Sequence, residues 1–254
     1  MAEREPKGIQ SIEIGMNLFR EIVEARRPMR LRDVASASGL TPSKARMYLV
    51  SLVRTGMIEQ DSANGHYVAG PAATRLGILA FGDDRILDAG RRALATLGDS
   101  TGDPVLLSAW NGDRSVIVAT NEYARNLPMS FRVGSATPVD TATGRVFLAF
   151  LPEAVSARII ASDRFDRPVT PAELAQIRSD GFARAGKIQL GSGVTLSGMG
   201  AIAAPIFGRG NRVEFVLSAL HAVALGPEEI AKRVQQLRTC ALNASQSAGD
   251  AFPV

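Results

Sequence analysis

Cysteine and histidine are scarce in this chain: its 254 residues include one cysteine, Cys240, and two histidines, His66 and His221. A single cysteine cannot form an internal disulfide, and so few ligands of this kind argue against a zinc site. Motifs of nucleophilic and nucleotide chemistry are missing as well, since the sequence has no GxSxG, no P-loop and no GxGxxG before a helix. We therefore expect no catalytic residue, no metal and no cofactor.

Long apolar runs are also missing. No segment approaches the roughly 18 uncharged apolar residues of a membrane span, and the charged N-terminus MAEREPKG has no hydrophobic signal region. We therefore expect no membrane partner and a cytoplasmic location. With 46% apolar and 21% charged residues, the chain has enough apolar side chains for buried cores, and its length favours two domains.

The net charge is small, +4 at neutral pH, but it is unevenly distributed. Residues 1 to 80 contain 11 Lys and Arg against 8 Asp and Glu, whereas the rest of the chain contains 18 against 17. The excess positive charge therefore lies in the first third of the chain, as binding to DNA phosphates would require.

Residues 30 to 67 have the pattern of a winged helix-turn-helix. Apolar residues between 31 and 35 predict a short helix, which Ser38-Gly39 breaks. Thr41-Pro42 then begins a second helix, with a side-chain oxygen at the N-cap and proline at the first helical position. Strands are predicted over residues 57 to 59 and 66 to 68, where Asn64-Gly65 supplies the positive φ of a tight hairpin. This hairpin would be the wing.

The second helix of this pattern is expected to read DNA. Its periodicity directs four residues inward: Ala45, Leu49, Leu52 and Val53. The N-terminal part of such a helix meets base edges in the major groove. The candidates for base readout are Ser43, Lys44, Arg46 and Met47. The candidates for contacts with the DNA backbone are Arg30, Arg32, Arg54 and the wing residue His66.

Two segments flank this unit. Residues 9 to 25 predict a helix that covers its back through an apolar stripe of Ile9, Ile12, Met16, Phe19 and Val23. Residues 72 to 97 predict two helices joined near Phe81-Gly82-Asp83. They are either a passive spacer or a dimer-forming connector. We favour the connector, because the segment offers more apolar positions than one DNA-reading unit can cover.

From Pro104 the pattern changes to that of an α+β domain. Strands are predicted as a hairpin over residues 105 to 119, and then over residues 129 to 133, 199 to 207 and 213 to 220. Helices are predicted after Thr141, after the capping box that begins at Thr170, and from Pro227. Gly181 stands where a helix C-terminal glycine is expected. The expected fold is an antiparallel sheet with helices packed on it.

Segments along nearly the whole chain resemble the IclR family of bacterial transcriptional regulators. They are QSIE in the first helix, the wing that closes on Tyr67 and Gly70, TATGR followed by LAFLP, and AIAAPIF in a late strand. The resemblance implies a winged helix-turn-helix over residues 1–71, a helical linker for dimerisation over 72–98, and a GAF-like effector domain over 99–254. It also implies a homodimer or homotetramer on a palindromic double-stranded DNA operator near catabolic genes.

The resemblance also implies a pocket for a small carboxylate between the sheet and the loop that enters the TATG helix. Carried over residue by residue, the pocket consists of Thr137, Ala142, Thr143, Gly144, Met199, Ala201, Ser218 and Leu220. Free backbone N–H groups at the start of that helix form a ready anion site.

Departures from the family pattern favour an apolar effector. Ala201 replaces a frequent Cys, Leu220 replaces a frequent Ser, and an acidic residue common near residues 191 to 194 is missing. Arg145 stands where the family usually has Lys and keeps the positive charge. Because each of the first three changes removes a polar partner, we expect an aromatic or similarly apolar carboxylate, bound by Ser218 and Thr143.

Three other interpretations stay open. Met199, Ala201 and Leu220 are plain core residues in the first. In the second, the chain is a small-molecule enzyme or binding module whose N-terminal helices mediate protein contacts. In the third, a DNA-binding protein has a sensor domain that has lost its ligand and serves only in assembly.

Overall fold

The computed structural model describes residues 8–80, 84–123, 131–162, 165, 168–186, 188–189, 195–196 and 198–247. Internal contacts divide the chain into two compact units, Met1–Gly82 and Asp83–Val254, and each is described by itself. No helix in the described ranges has both the length and the apolar character needed to cross a membrane.

The first unit has the elements that the sequence predicts for a winged helix-turn-helix. They are α1 (Gln10–Glu24), α2 (Leu31–Ala37), α3 (Pro42–Arg54), β1 (Ile58–Gln60), β2 (Tyr67–Ala69) and α4 (Pro71–Ala80). The helix α3 begins as predicted, because the Thr41 hydroxyl accepts a hydrogen bond from the Lys44 N–H at 3.4 Å and Pro42 occupies the first position. Gly39, at φ +65°, makes the turn between α2 and α3.

The wing is an antiparallel pair of strands, β1 and β2, in which Glu59 faces Val68. Each strand begins and ends one residue later than predicted. Its loop closes through the Gly65 N–H, which donates to the Asp61 carbonyl at 2.7 Å, and the Asp61 N–H, which donates to the His66 carbonyl at 2.8 Å. Gly65 adopts φ +72°, whereas Asn64 does not have a positive φ. Glycine alone therefore supplies the left-handed conformation that the sequence assigned to both residues.

The predicted buried stripe of α1 was wrong. Gly15, Leu18 and Ile22 are its buried residues, and Phe19 is only partly buried. The other four residues of the predicted stripe are 44 to 64% exposed: Ile9, Ile12, Met16 and Val23. The helix α1 carries apolar residues on two sides, and the residues on each side have helical spacing. Periodicity alone therefore could not distinguish the buried side from the exposed one. The exposed set is an apolar surface of the first unit.

The buried face of α3 is close to the predicted one. Ala45, Leu49 and Leu52 are buried in a cluster with α1, α2 and the wing. Val53, also predicted to face inward, is 38% exposed. It follows Leu52 by one residue, a rotation of about 100° around the helix, and so leaves the buried face.

The second unit is an antiparallel sheet with helices packed on it, as predicted. Its main sheet has six strands within the described residues, and helices cover both of its faces. Its strands follow the order β5-β4-β3-β10-β9-β6, and β7 and β8 form a separate pair. Its elements are α5 (Asp84–Thr101), β3 (Val105–Trp110), β4 (Ser115–Thr120), β5 (Ala136–Thr137), α6 (Ala142–Phe150), α7 (Glu153–Ser162), α8 (Pro171–Asp180), β6 (Ala183–Ala185), β7 (Ile188–Gln189), β8 (Thr195–Leu196), β9 (Met199–Phe207), β10 (Val213–Ala222) and α9 (Pro227–Ser247).

The strand β5, the third of the sheet in chain order, lies later in the sequence than predicted. Residues 129 and 130 of the prediction lie outside the described residues, and residues 131 to 133 form turns. The chain reverses at Gly134, whose φ is +79° and whose N–H donates to the Ile117 carbonyl at 2.7 Å. Only after this reversal does the backbone run along β4, so the strand is Ala136–Thr137.

Alternate residues of β10 face two separate cores. Val216 and Leu220 contact the cluster that contains α6 and α8, which we call the α6 face. Leu217 and Ala219 contact the cluster that contains α5 and α9, which we call the α9 face. Period-two alternation of apolar residues in a strand that is covered on both sides produces this arrangement.

The segment predicted as a connector consists of two helices, α4 and α5, and its predicted junction at residues 81 to 83 lies outside the described residues. The apolar residues of α5 are used within the second unit, since Ile86, Leu94 and Leu97 are buried on the α9 face. On α4, Leu76 and Leu79 are 54% and 63% exposed. The uncovered apolar surface of this segment therefore lies on α4.

Candidate functional site

The start of α3 presents the residues predicted to read DNA bases. Ser43, Lys44, Arg46 and Met47 are all exposed, and Met47 exposes 72% of its surface. The buried Ala45, Leu49 and Leu52 fix the rotation of the helix. At about 100° per residue, Ser43, Met47, Val50 and Arg54 point most directly outward, while Lys44 and Arg46 flank them on opposite sides.

Two of the predicted backbone contacts lie together. The Arg30 Nε donates to the His66 Nε2 at 3.3 Å, because an isolated bridge pairs Met29 with Tyr67 and so aligns the chain before α2 with the wing. Arg32 is exposed on α2, and Arg54 is exposed in the last turn of α3. The residues predicted to contact the DNA backbone therefore lie at the second helix, the third helix and the wing base, where a helix-turn-helix contacts phosphates.

In the second unit, the predicted effector residues Thr143 and Ser218 meet across 75 positions of sequence. Their hydroxyl oxygens are 2.7 Å apart, and both side chains are buried. Thr143 lies in the first turn of α6, and Ser218 lies in the middle of β10, the strand beneath it. One hydroxyl donates to the other, so the accepting hydroxyl keeps its own O–H available for a further acceptor.

The N-terminus of α6 is built as an anion site would be. The Thr141 hydroxyl accepts from the Gly144 N–H at 3.1 Å, whereas the N–H groups of Ala142 and Thr143 have no hydrogen-bond partner among the described residues. Gly144 is required here, because a Cβ would lie 2.1 Å from the Val139 carbonyl oxygen. Unpaired first-turn amides and the helix dipole both favour negative charge.

The other predicted effector residues divide into two groups. Ala142, Ala201 and Leu220 are buried in the apolar cluster of the α6 face, and Met199 packs against it. Ala201 also faces Leu220 directly in the sheet. Thr137 instead lies in β5, bonded to the Ser115 hydroxyl. At about 4.8 Å per strand, β5 is about 14 Å from β10, so Thr137 is not brought against Ser218.

The comparisons with known proteins settle the family. The model of the bacterial transcriptional regulator IclR C-terminal domain matches residues 80–246, and the model of the IclR helix-turn-helix domain matches residues 11–62. The chain belongs to the IclR family. As an IclR regulator it binds DNA through its helix-turn-helix and an effector through its C-terminal domain, and it is not an enzyme. Membership also confirms the expected cytoplasmic location.

Relatives of this IclR regulator cover most of its length. The glycerol operon regulatory protein of Streptomyces coelicolor is 31% identical over 80% of this chain and 81% of its own. An IclR-type regulator from Silicibacter sp. TM1040 has a similar structure, with a TM-score of 0.77 and 24% identity over 96% of this chain and 98% of its own. An IclR homologue of Microbacterium hydrocarbonoxydans, solved with 4-hydroxybenzoate, has a TM-score of 0.75 and 17% identity over 94% and 98% of the two chains.

Arg145 is a buried cation whose role the sequence did not reveal. Its guanidinium contacts Asp140 at 2.5 Å and Glu173 at 2.7 Å, and it lies 6.0 Å from the Phe165 ring centroid. It therefore ties α6 to α8 and to the loop before α6. Removal of one partner of a buried pair costs about 3 to 5 kcal/mol, because the remaining charge is uncompensated. Glu173 is 28 positions away in sequence, too far for a local pattern to show this contact.

Two of the scarce histidine and cysteine residues, His221 and Cys240, lie in the second unit. His221 is buried on β10 with its Nδ1 3.0 Å from the Ala222 carbonyl oxygen. Burial raises the pKa of the Cys240 thiol, which disfavours the reactive thiolate. Among the described residues, no three His, Cys, Asp or Glu side chains are grouped to hold a metal. The place of the missing acidic residue, residues 191 to 194, lies outside the described residues.

Proposed function

We propose that this IclR regulator senses an aromatic or similarly apolar carboxylate and controls a catabolic operon in response. The observation that carries the proposal is the buried Thr143–Ser218 hydroxyl pair at the N-terminus of α6. There, an O–H and unpaired amides offer hydrogen bonds to a carboxylate. The surrounding Ala201, Leu220 and Met199 are apolar, so the rest of the ligand would meet hydrocarbon rather than polar groups.

The charges near this site support the same ligand class. Arg145 is already paired with Asp140 and Glu173, so the anion would be bound by hydroxyl and amide donors more than by a guanidinium. A small, strongly hydrated acid would lose more hydration in such a site than these donors replace. An aromatic acid offsets part of this cost by burying its ring. The homologue solved with 4-hydroxybenzoate has the same fold.

For DNA, we propose base readout by Ser43, Lys44, Arg46 and Met47 and phosphate contacts by Arg30, Arg32, Arg54 and His66. The exposure of α3 and the position of Arg30 beside the wing support these roles. We propose domain bounds of 1–71, 72–98 and 99–254 for reader, linker and effector domain. A homodimer or homotetramer would present two reading helices to the half-sites of a palindromic operator.

The uncovered apolar residues of the first unit support assembly. Ile12 and Met16 on α1 and Leu76 on α4 border one groove of about 880 Å³. These residues are 48 to 60% exposed. A patch of this kind on a small domain marks a contact surface. We assign its α1 and α4 side to the homodimer, and its α3 side, which carries Lys44 and Met47, to DNA. Effector binding would alter operator affinity through its differential affinity for two arrangements of the readers.

Thermal unfolding with a panel of carboxylates tests the effector proposal. We expect 4-hydroxybenzoate and benzoate to raise the Tm of the full-length protein, because a ligand that binds only the folded state stabilises it. Glyoxylate and pyruvate should leave the Tm unchanged. If only the small polar acids stabilise the protein, the effector class is wrong. If no acid does so and operator binding in a gel shift is unaffected by all of them, the sensor domain serves assembly alone.

A further inference from the structure

We propose that the effector domain has a second ligand site, for an amphipathic organic anion, in the groove between the end of α8, the last part of β9 and α9. This groove has a volume of about 510 Å³, within the usual range of about 300 to 1,000 Å³ for small-molecule sites. It does not depend on the effector site proposed above. That site lies at the N-terminus of α6, whereas the groove includes Phe150, the last residue of α6.

The groove exists because β6 is too short to cover β9. Its three residues pair only with Ala201, Ile202 and Ala203 of β9. Beyond Ala203, β9 has no strand neighbour on this side within the described residues, and α9 and the end of α8 form the walls instead. Gly181 ends α8 at φ +70°, and a Cβ there would lie 3.8 Å from Nε of Arg238. This glycine therefore borders the groove without narrowing it.

The backbone at this edge argues against an added β-strand as the occupant. Pro205 has no N–H to donate. The Phe207 N–H already donates to the Ser245 hydroxyl of α9 at 2.9 Å, and that hydroxyl is buried. Strand addition requires a row of free donors and acceptors along the edge. The two donors that a strand would need are therefore missing or used, which favours a small molecule.

The side chains specify an anion with an apolar body. Two rings of the lining, Phe150 and Phe207, pack edge to face with centroids 5.2 Å apart. The lining also includes two arginines, Arg178 and Arg238, and no Asp or Glu. One Nη of Arg178 donates to the Ala149 carbonyl at 2.6 Å. A guanidinium has five N–H donors, so this one hydrogen bond does not use up the donors of Arg178.

Arg238 is the cation that the fold leaves for a ligand. It is exposed on α9, and it makes no hydrogen bond or ion pair with any other described residue. By contrast Arg233, five residues earlier on α9, is paired with Asp103 and Glu229. A guanidinium binds a carboxylate through two parallel hydrogen bonds. An aromatic acid would place its ring against the two phenylalanines and its carboxylate at Arg238.

Calorimetric titration of the full-length protein with 6-bromo-2-naphthoate tests this site. We expect Arg238→Gln to weaken binding of the probe by about tenfold or more, because a charge-assisted hydrogen bond is lost. Arg238→Lys keeps the charge but not the paired hydrogen bonds, and should recover only part of the affinity. Arg184→Gln, which removes an exposed arginine of β6 outside the groove, should bind like the unaltered protein. Crystals grown with the probe locate its bromine by anomalous scattering.

The outcomes separate this site from the proposed effector site. Bromine in the groove, with affinity lost in Arg238→Gln and retained in Ser218→Ala, supports the groove. Bromine only beside Thr143 and Ser218, with Arg238→Gln unaffected, overturns the groove and leaves the effector site intact. Binding at crystal concentration only overturns it as well. The proposal is also overturned if Arg238→Gln changes the sedimentation of the protein but not the binding of the probe, because the groove is then a contact between copies of the chain.

Discussion

The hydroxyl oxygen of Thr143 lies 2.7 Å from that of Ser218, and this contact joins the first turn of α6 to the centre of the sheet. Both residues are buried, at 8% and 1% exposure. A hydroxyl in such a place needs a partner, because water cannot replace it. The pair therefore fixes α6 over β10 in the protein alone, and it is also the polar point at which we propose that an effector carboxylate binds.

A double-mutant cycle on this pair separates its contribution to stability from its contribution to binding. Ser218→Ala leaves the Thr143 hydroxyl unsatisfied and should lower the free energy of unfolding by about 1 to 3 kcal/mol. Thr143→Val should cost a similar amount. The double variant should cost less than the sum of the two, with a coupling of about 1 kcal/mol, because no unsatisfied hydroxyl remains. Chemical denaturation measures all three.

The same variants report on the effector. If the pair holds the carboxylate, the double variant should bind the effector about tenfold or more weakly, since hydrogen bonds to a charged group are lost. Ser247→Ala, an exposed serine of α9 with a local hydrogen bond to Asn243, serves as the matched control. Additive stabilities and unchanged binding in the double variant would remove both roles from the pair.

Gly144 tests whether the start of α6 tolerates a side chain. In Gly144→Ala the new Cβ would meet the Val139 carbonyl oxygen at 2.1 Å, and this oxygen belongs to the backbone and cannot rotate away. We expect a loss of several kcal/mol, on the order of 3, since overpacking of a rigid site displaces the backbone. Thermal and chemical unfolding measure the change.

The matched control for Gly144 is Gly77, which lies in α4, where an added Cβ would meet no atom within 4 Å beyond the adjoining backbone of its own helix. Gly77→Ala should raise the stability of the first unit by about 0.5 to 1 kcal/mol, because alanine has a higher helix propensity than glycine. Equal effects of the two substitutions would contradict the close contact at Val139.

Local signals in the sequence predicted most helix ends correctly, whereas contacts between distant residues could not be read from them. Thr170 caps α8 through the Glu173 N–H at 3.1 Å, and Gly181 ends it in the left-handed region. These features involve neighbouring residues, whose geometry the chain itself fixes. The pairing of Arg145 with Glu173 depends on how α6 and α8 pack, which no spacing in the sequence encodes.

The error at α1 has a different cause. Its apolar residues occupy two sides of the helix, and Leu18 is fully buried while Ile12 is 60% exposed. A helix that contacts its own domain on one side and another molecule on the other carries two apolar stripes, so hydrophobic periodicity cannot say which one is internal. The effector residues were difficult for another reason, because only the family resemblance identified them. One of these residues, Thr137, lies three strands away from Ser218 in the sheet.

Base readout by α3 is tested at Arg46. If Arg46 makes a bidentate contact with a base, Arg46→Ala should cost about 1 to 3 kcal/mol in operator binding and relax sequence preference at one position. Fluorescence anisotropy with the operator and with random DNA of equal length measures both effects. Equal losses on the two DNAs, with a reduced salt slope, would mark Arg46 as a phosphate contact instead. Arg158→Ala, an exposed arginine of α7, should change neither.

Assembly through the first unit is tested at Ile12. This residue is 60% exposed on α1 and borders the same groove as Met16 and Leu76. A carboxylate buried in an apolar contact is costly, so Ile12→Glu should weaken the homodimer, by about tenfold or more in dissociation constant. Sedimentation velocity over a dilution series measures the shift, and operator affinity should fall with it, because one reader alone contacts one half-site.

Val223 provides the matched control for Ile12, because it is an apolar residue of the second unit with 46% exposure. Val223→Glu should leave both sedimentation and operator binding unchanged. If Ile12→Glu sediments like the unaltered protein at every concentration, the α1 and α4 surface is not the contact between copies. The exposed stripe of α1 would then have to be covered by another molecule, since apolar side chains at this density on one small domain are otherwise a liability for aggregation.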